Sequence, residues 1–174
     1  MQKKIIVFTT LVFLTIVLFI SCKKNDSGTS TLNVRLTDAP ATFSEINVDV
    51  REVRVKFSDD SLSNDGWVNL TTTAGIYNLL AYQNGVDTLL GTGVFPYQTV
   101  KEIRLILGSN NTIKDGGVTY PLIIPSGSTS GLKIKVNKKL NATLETIIID
   151  FDAALSVKKE GLGDYKLRPV LKIK

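Results

Sequence analysis

From Thr31 to the end of the chain, apolar residues alternate with polar ones at period two, and turn signals recur every dozen or so residues. That pattern belongs to strands with one face buried, because successive side chains of a strand point to opposite sides. No ten-residue stretch shows a 3.6-residue apolar period, and no repeat of 20–50 residues is present. Leu32, Val34 and Leu36 alternate with Asn33, Arg35 and Thr37. Thr37-Asp38-Ala39-Pro40 closes that strand, since Pro40 has no N–H to donate and Asp38 is able to bond the backbone ahead. Residues 41–45 read as one helical turn.

The next run changes phase. Ile46, Val48 and Val50 have one parity, and Val53, Val55 and Phe57 the other. One extra residue at Arg51-Glu52 would return all six to a common face, so a bulge or sharp twist is predicted there. Further strands are read at Trp67–Leu70, Ile76–Ala81, Thr88–Val94, Thr99–Leu107, Leu132–Val136, Thr146–Asp152 and Leu167–Ile173. Asp115-Gly116-Gly117 sits between two apolar runs and signals a hairpin. Pro169 inside the last run predicts an edge strand or a bulge. Seven to nine strands, mostly antiparallel, predict an all-β, two-sheet antiparallel sandwich of the immunoglobulin-like kind. A closed barrel is the alternative.

The first thirty residues have a different character. Met-Gln-Lys-Lys is followed by an unbroken run of apolar residues and threonines from Ile5 to Ile20, then Ser21-Cys22. As a helix the run spans about 24 Å, short of a hydrocarbon core of roughly 30 Å. It therefore reads as a secretory leader. Leu18-Phe-Ile-Ser-Cys22 resembles a lipobox, the processing signal of bacterial lipoproteins, with Phe19 where Leu is usual. The resemblance implies cleavage after Ser21 and a diacylglycerol on the Cys22 sulfur. The expected organisation is a leader over residues 1–21, an acylated Cys22 and polar tether over 22–31, and one domain over 32–174. Two or three acyl chains meet the requirement for stable anchoring. The expected address is the bacterial cell envelope, at the outer membrane.

Composition removes whole classes of chemistry. The chain contains no His and a single Cys. A Ser-His-Asp triad, an imidazole metal site, a thiolate zinc site and an internal disulfide are thus all excluded. The net charge of +5 includes Lys3 and Lys4 of the leader. Secretion and the lack of aromatics interleaved with the basic residues argue against nucleic acid. No cofactor is expected.

Three constellations remain. Asp150 and Asp152 lie two apart in a strand, which predicts a shared face and a separation of roughly 6–7 Å. That spacing suits a pair of glycosidase carboxylates, the basis of an alternative reading as a glycan-acting hydrolase. With Asp38 they would make an oxygen-only Ca²⁺ set. The structural alternative, which we favour, has one of Asp150 and Asp152 capping a turn and the other pairing with Arg168 or a lysine, Arg168 on the last strand being the named candidate. Lys133, Lys135, Lys138 and Lys139, with Lys158 and Lys159, form either a basic face for anionic glycans or lipid headgroups, or an ordinary solvated edge. Trp67 is expected at the core or its rim, and Tyr77, Tyr82, Tyr97, Tyr120 and Tyr165 are dispersed. Asp60-Ser61-Leu62 and Asp87-Thr88-Leu89 resemble O-glycosylation sites of Bacteroidetes-type bacteria.

Four ordered motifs resemble a family of uncharacterised envelope proteins, domain of unknown function four-three-eight-two. They are Leu36-Thr-Asp-Ala-Pro40, Ile124-Pro-Ser-Gly127 with Ser130-Gly-Leu-Lys133, Asp150-Phe-Asp-Ala153 with Ser156-Val157, and Tyr165-Lys-Leu-Arg-Pro-Val170. The resemblance implies a lipid-anchored β-sandwich related in shape to transthyretin-like accessory domains, and no particular activity. The function expected is non-enzymatic binding of a glycan or of an envelope or adhesion protein, with the membrane as second partner through the anchor.

Overall fold

The computed structural model describes residues 28–59, 65–125, 131–161 and 163–174. The leader, Cys22, Ser61 and the turn-rich 126–130 segment lie outside the described residues. Fourteen strands occur among them: β1 (Thr29–Asp38), β2 (Glu45–Lys56), β3 (Trp67–Asn69), β4 (Thr71–Thr72), β5 (Gly75–Asn78), β6 (Thr88–Pro96) and β7 (Thr99–Leu107), then β8 (Thr112–Asp115), β9 (Val118–Ile123), β10 (Leu132–Lys139), β11 (Leu144–Phe151), β12 (Val157–Glu160), β13 (Asp164–Leu167) and β14 (Leu171–Ile173). A 3-10 turn spans Leu79–Tyr82, and one short helix, α1, spans Ala153–Ser156. The expected helical turn at 41–45 is an irregular bend.

The strands form two facing sheets. One has five strands in the order β14-β11-β1-β6-β4; the other has nine, in the order β10-β7-β2-β8-β9-β13-β12, with β3 and β5 also paired to β2. The all-β sandwich is as expected, with two differences. The strand count exceeds seven to nine because several apolar runs break into strands of two to four residues. The sheets are also mixed: β1 pairs β11 in parallel from Thr31↔Leu144 to Asp38↔Phe151, and β13 pairs β9 in parallel. Alternation reports which face is buried and not which way a neighbour runs, so strand direction lay outside what period two can tell.

A single core fills the space between the sheets. Leu32, Val34, Leu36, Leu90, Ile147 and Ile149 meet Val53, Val55, Ile103, Leu105 and Ile134 there. Burying each such side chain contributes about 1.5–3 kcal/mol. The phase change in β2 is the predicted bulge: Val50 pairs Leu107 while Glu52 pairs Ile106, leaving Arg51 as the extra, exposed residue. Ile46, Val48, Val50, Val53 and Val55 are consequently all buried, and Phe57 packs partly buried against the core. The hairpin at Asp115 forms with Gly116 and Gly117 both at positive φ (56° and 82°), the conformation a two-residue primed turn demands.

Two boundaries shift. β1 starts at Thr29, inside the expected 22–31 tether: Ser30 is fully buried, and Thr31 N–H donates to the Thr143 carbonyl at 2.8 Å. The Leu167–Ile173 run is not one strand. Pro169 falls between β13 and β14, where the chain leaves the nine-stranded sheet for the five-stranded one.

Candidate functional site

The acidic motif residues gather where β1 and β11 end side by side. Asp38 is 2% exposed; its Oδ1 accepts from Ala153 N–H at 2.9 Å and its Oδ2 from Gln83 Nε2 at 3.1 Å. Burial pushes its pKa up, the two hydrogen bonds pull against that, and the Asp150 charge adds a small further rise. Asp152 has left the strand and caps α1, its Oδ1 accepting from Leu155 N–H at 3.1 Å. The turn predicted for one Asp is therefore Asp152's. Asp150 stays on β11, its Oδ2 3.2 Å from Lys174 Nζ, while Asp152 Oδ2 lies 3.4 Å from Lys172 Nζ.

Arg168 is not their partner. Its guanidinium bonds Glu160 Oε1 at 2.9 Å and is largely exposed. The reason is the sheet change at Pro169, which leaves Arg168 beside β12 and brings the lysines of β14 alongside β11. Nor do Asp38, Asp150 and Asp152 assemble as a Ca²⁺ set: among the described residues no three His, Cys, Asp or Glu side chains converge to hold a metal. Asp38 and Asp152 are committed to backbone N–H groups, and Asp150 to a lysine. This cluster ties the two parallel strands to α1 and β14.

The basic residues divide. Lys158 and Lys159 sit on β12, at the opposite edge of the nine-stranded sheet from β10, so the two lysine groups do not form one face. Lys159 lies over the Tyr165 ring, 5.1 Å from its centroid. Lys138 pairs with Glu145 at 2.8 Å. Lys133 and Lys135, by contrast, are exposed on the outward side of edge strand β10, opposite buried Ile134.

There the sheet places like charges side by side. Arg54 on β2 is directly opposite Arg104 on β7, and Arg104 is directly opposite Lys133 on β10. The next row across the same strands runs Trp67, Lys56, Glu102, Lys135. Arg104 stacks on the Trp67 ring at 4.1 Å, with Lys56 Nζ 5.8 Å from it. Trp67 thus lies at the rim with one ring face holding a guanidinium. Burial and the neighbouring Arg54 lower the Arg104 pKa, while Glu102 opposes them. Beside these rows, Ser58, Asp59, Lys101, Glu102 and Lys135 line a cavity of about 90 Å³. Glu102 is 5% exposed, and its Oε2 has no hydrogen-bond partner among the described residues. Lys101 bridges Asp59 and Asn137, both at 3.1 Å.

Four of the tyrosines make no platform: Tyr77 pairs with Tyr82 and Tyr120 with Tyr165, all against the core. Thr88 opens β6, and the neighbouring Asp87 is taken by Arg35.

A third polar cluster escaped the sequence reading. Asp49, fully buried on β2, accepts from Arg51 NH2 at 2.8 Å and from Asn110 N–H at 3.2 Å. Its backbone N–H donates to Asn111 Oδ1, and its carbonyl accepts from Gly108 N–H. Gly108-Ser-Asn-Asn111 was the available signal, a turn composition directly after a strand.

No curated protein and no solved structure matches the chain. The family model described as Domain of unknown function (DUF4382) matches residues 29–169, from the first residue of β1 to Pro169. That match takes in both sheets except β14, and the three polar clusters apart from Lys172 and Lys174, and the chain belongs to this family.

Proposed function

We propose that the protein is a lipoprotein of the bacterial outer membrane, held by acylated Cys22, that works by binding and not by catalysis. Its ligand is an anionic glycan laid across the outward side of β2, β7 and β10. One observation carries the reading: Lys133 and Lys135 stand exposed on β10, directly opposite the buried Arg104 and Glu102 of β7, with Arg54 of β2 opposite Arg104 in turn. Like charges so placed destabilise a sheet. Glu52 pairs with Arg54 at 2.6 Å, and Glu102 lies in the next row between Lys56 and Lys135. A carboxylate- or sulfate-bearing chain brings counter-charge to the exposed ammonium groups of Lys133 and Lys135, and the polar cavity beside Lys101 and Lys135 takes its hydroxyls. The acidic residues lend the hydrolase alternative no support, since Asp150 and Asp152 do not line that cavity and are engaged elsewhere.

Polygalacturonate should bind and neutral dextran of equal length should not, with affinity falling as salt rises. Lys133→Glu/Lys135→Glu should weaken binding at least tenfold, about 1.4 kcal/mol, without moving the melting temperature by more than a degree or two. Salt-independent binding, or equal binding by the double variant, removes the anionic-glycan reading. The anchor is tested separately. Cys22→Ser should move the protein from the membrane to the soluble fraction, and labelled palmitate still entering that variant sinks the assignment of Cys22.

A further inference from the structure

Five residues separate Cys22 from Gly28, whose carbonyl already accepts from Tyr97 N–H at 2.9 Å. At no more than about 3.6 Å per residue, they reach roughly 20 Å from the acylated sulfur. β1, ten residues long, carries the chain about 30 Å from one end of the sandwich to the other. Turned over, the domain would lift the start of β1 about 30 Å from the bilayer, beyond that reach. The end where β1 begins is the one held near the lipid.

That end has the surface such a position calls for. On the outward side of the five-stranded sheet, Thr31 is directly opposite Val94 on β6 and Leu144 on β11. Val94 is 65% exposed and Leu144 57%, so the row has a bare apolar side chain on each flank of the first strand. Lys139, exposed and paired in register with Thr99, closes the same end on the other sheet. Lys23 and Lys24 follow the acylated residue directly. Apolar side chains flanked by lysines suit the boundary between acyl chains and phosphate headgroups.

We propose that this end of the sandwich rests on the bilayer that holds the anchor, with Val94 and Leu144 entering the headgroup region and Lys139 facing lipid phosphates. The contact rests on the lipoprotein reading above, and orients the glycan face sideways, parallel to the membrane normal. Acylation blocks the Cys22 sulfur, so one introduced Cys carries a fluorophore alone. Acylated full-length Val94→Cys, Leu144→Cys and, at the far hairpin, Val118→Cys are labelled and reconstituted into phosphatidylglycerol-containing vesicles bearing headgroup spin labels. Quenching should be at least threefold stronger at 94 and 144 than at 118, and Lys139→Glu should reduce it. Unlabelled protein should gain amide protection at 94–97 and 141–144 on reconstitution. Equal quenching at all three positions, with the protein still floating with the vesicles, overturns the end-on contact and leaves the anchor standing. Failure of acylated wild type to float removes the anchor and this contact together.

Discussion

Gly108→Ala should lower the melting temperature by about 6–20 °C, whereas Gly161→Ala, on an open turn, should cost only a few degrees. A Cβ at position 108 would lie 2.2 Å from Asp49 Oδ2 and 2.6 Å from Arg51 Nε, distances no real Cβ keeps. The carboxylate cannot retreat, being fully buried and bonded to Arg51 and Asn110. The alanine must therefore separate Asp49 from its cation or tear the 108–111 turn from β2. Leaving a buried charge without its partner costs about 3–5 kcal/mol. For a domain of this size each kcal/mol is worth about 2–4 °C. Gly161 has φ 57° and nothing within 4 Å of its added Cβ, so its replacement meets only the left-handed backbone penalty of about 1–2 kcal/mol. Thermal melts of the two variants decide the matter. Equal small shifts would show that the turn relaxes and that Asp49 is no keystone.

The contrast between that cluster and the bulge shows what a sequence of this kind makes legible. Val50 and Val53 differ in parity, and only an inserted residue reconciles parity with burial, so Arg51 was identifiable from the pattern alone. The Gly-Gly hairpin was equally local. Asp49 and Gly108 are 59 positions apart, and each has an ordinary local role, a strand residue and a turn glycine. Their joint meaning appears only once β2 and β7 are aligned. The choice of a lysine over Arg168 has the same origin. The pattern predicts a cap for one of Asp150 and Asp152 and a cation for the other, but the choice among Arg168, Lys172 and Lys174 turns on which sheet the chain enters after Pro169. Composition holds no record of that. The lysines at 133–139 and 158–159 look alike along the chain and are set apart by the order of seven strands.

Replacing Asp38 should be costly as alanine and nearly silent as asparagine, and the pH profile should separate its charge from its hydrogen bonds. Asp38→Ala leaves the buried Ala153 N–H without its acceptor and Gln83 Nε2 without its carboxylate. An unsatisfied buried donor costs about 1–3 kcal/mol, so we expect roughly 2 kcal/mol and a melting temperature about 4–8 °C lower. Asp38→Asn keeps an acceptor for Ala153, and Gln83 needs only to turn its amide. The charge itself works against the fold at neutral pH. Because burial raises the Asp38 pKa, the folded state holds its proton more tightly than the unfolded chain. Its contribution is fully present below the unfolded value of 3.8 and is lost as pH rises through the raised folded value. Asp115, Glu145 and Glu160 carry the opposite sign. Hydrogen bonds from Tyr165, Lys138 and Lys166 respectively hold their pKa values down, so their contributions are lost as pH falls. Both variants retain those three groups, so subtracting the Asn variant's stability from that of wild type at each pH isolates Asp38. The difference should fall as pH rises above 3.8 and then level off. A difference that rises with pH would mean that the charged carboxylate is the stabilising form and that Asp38 is held by more than these two hydrogen bonds.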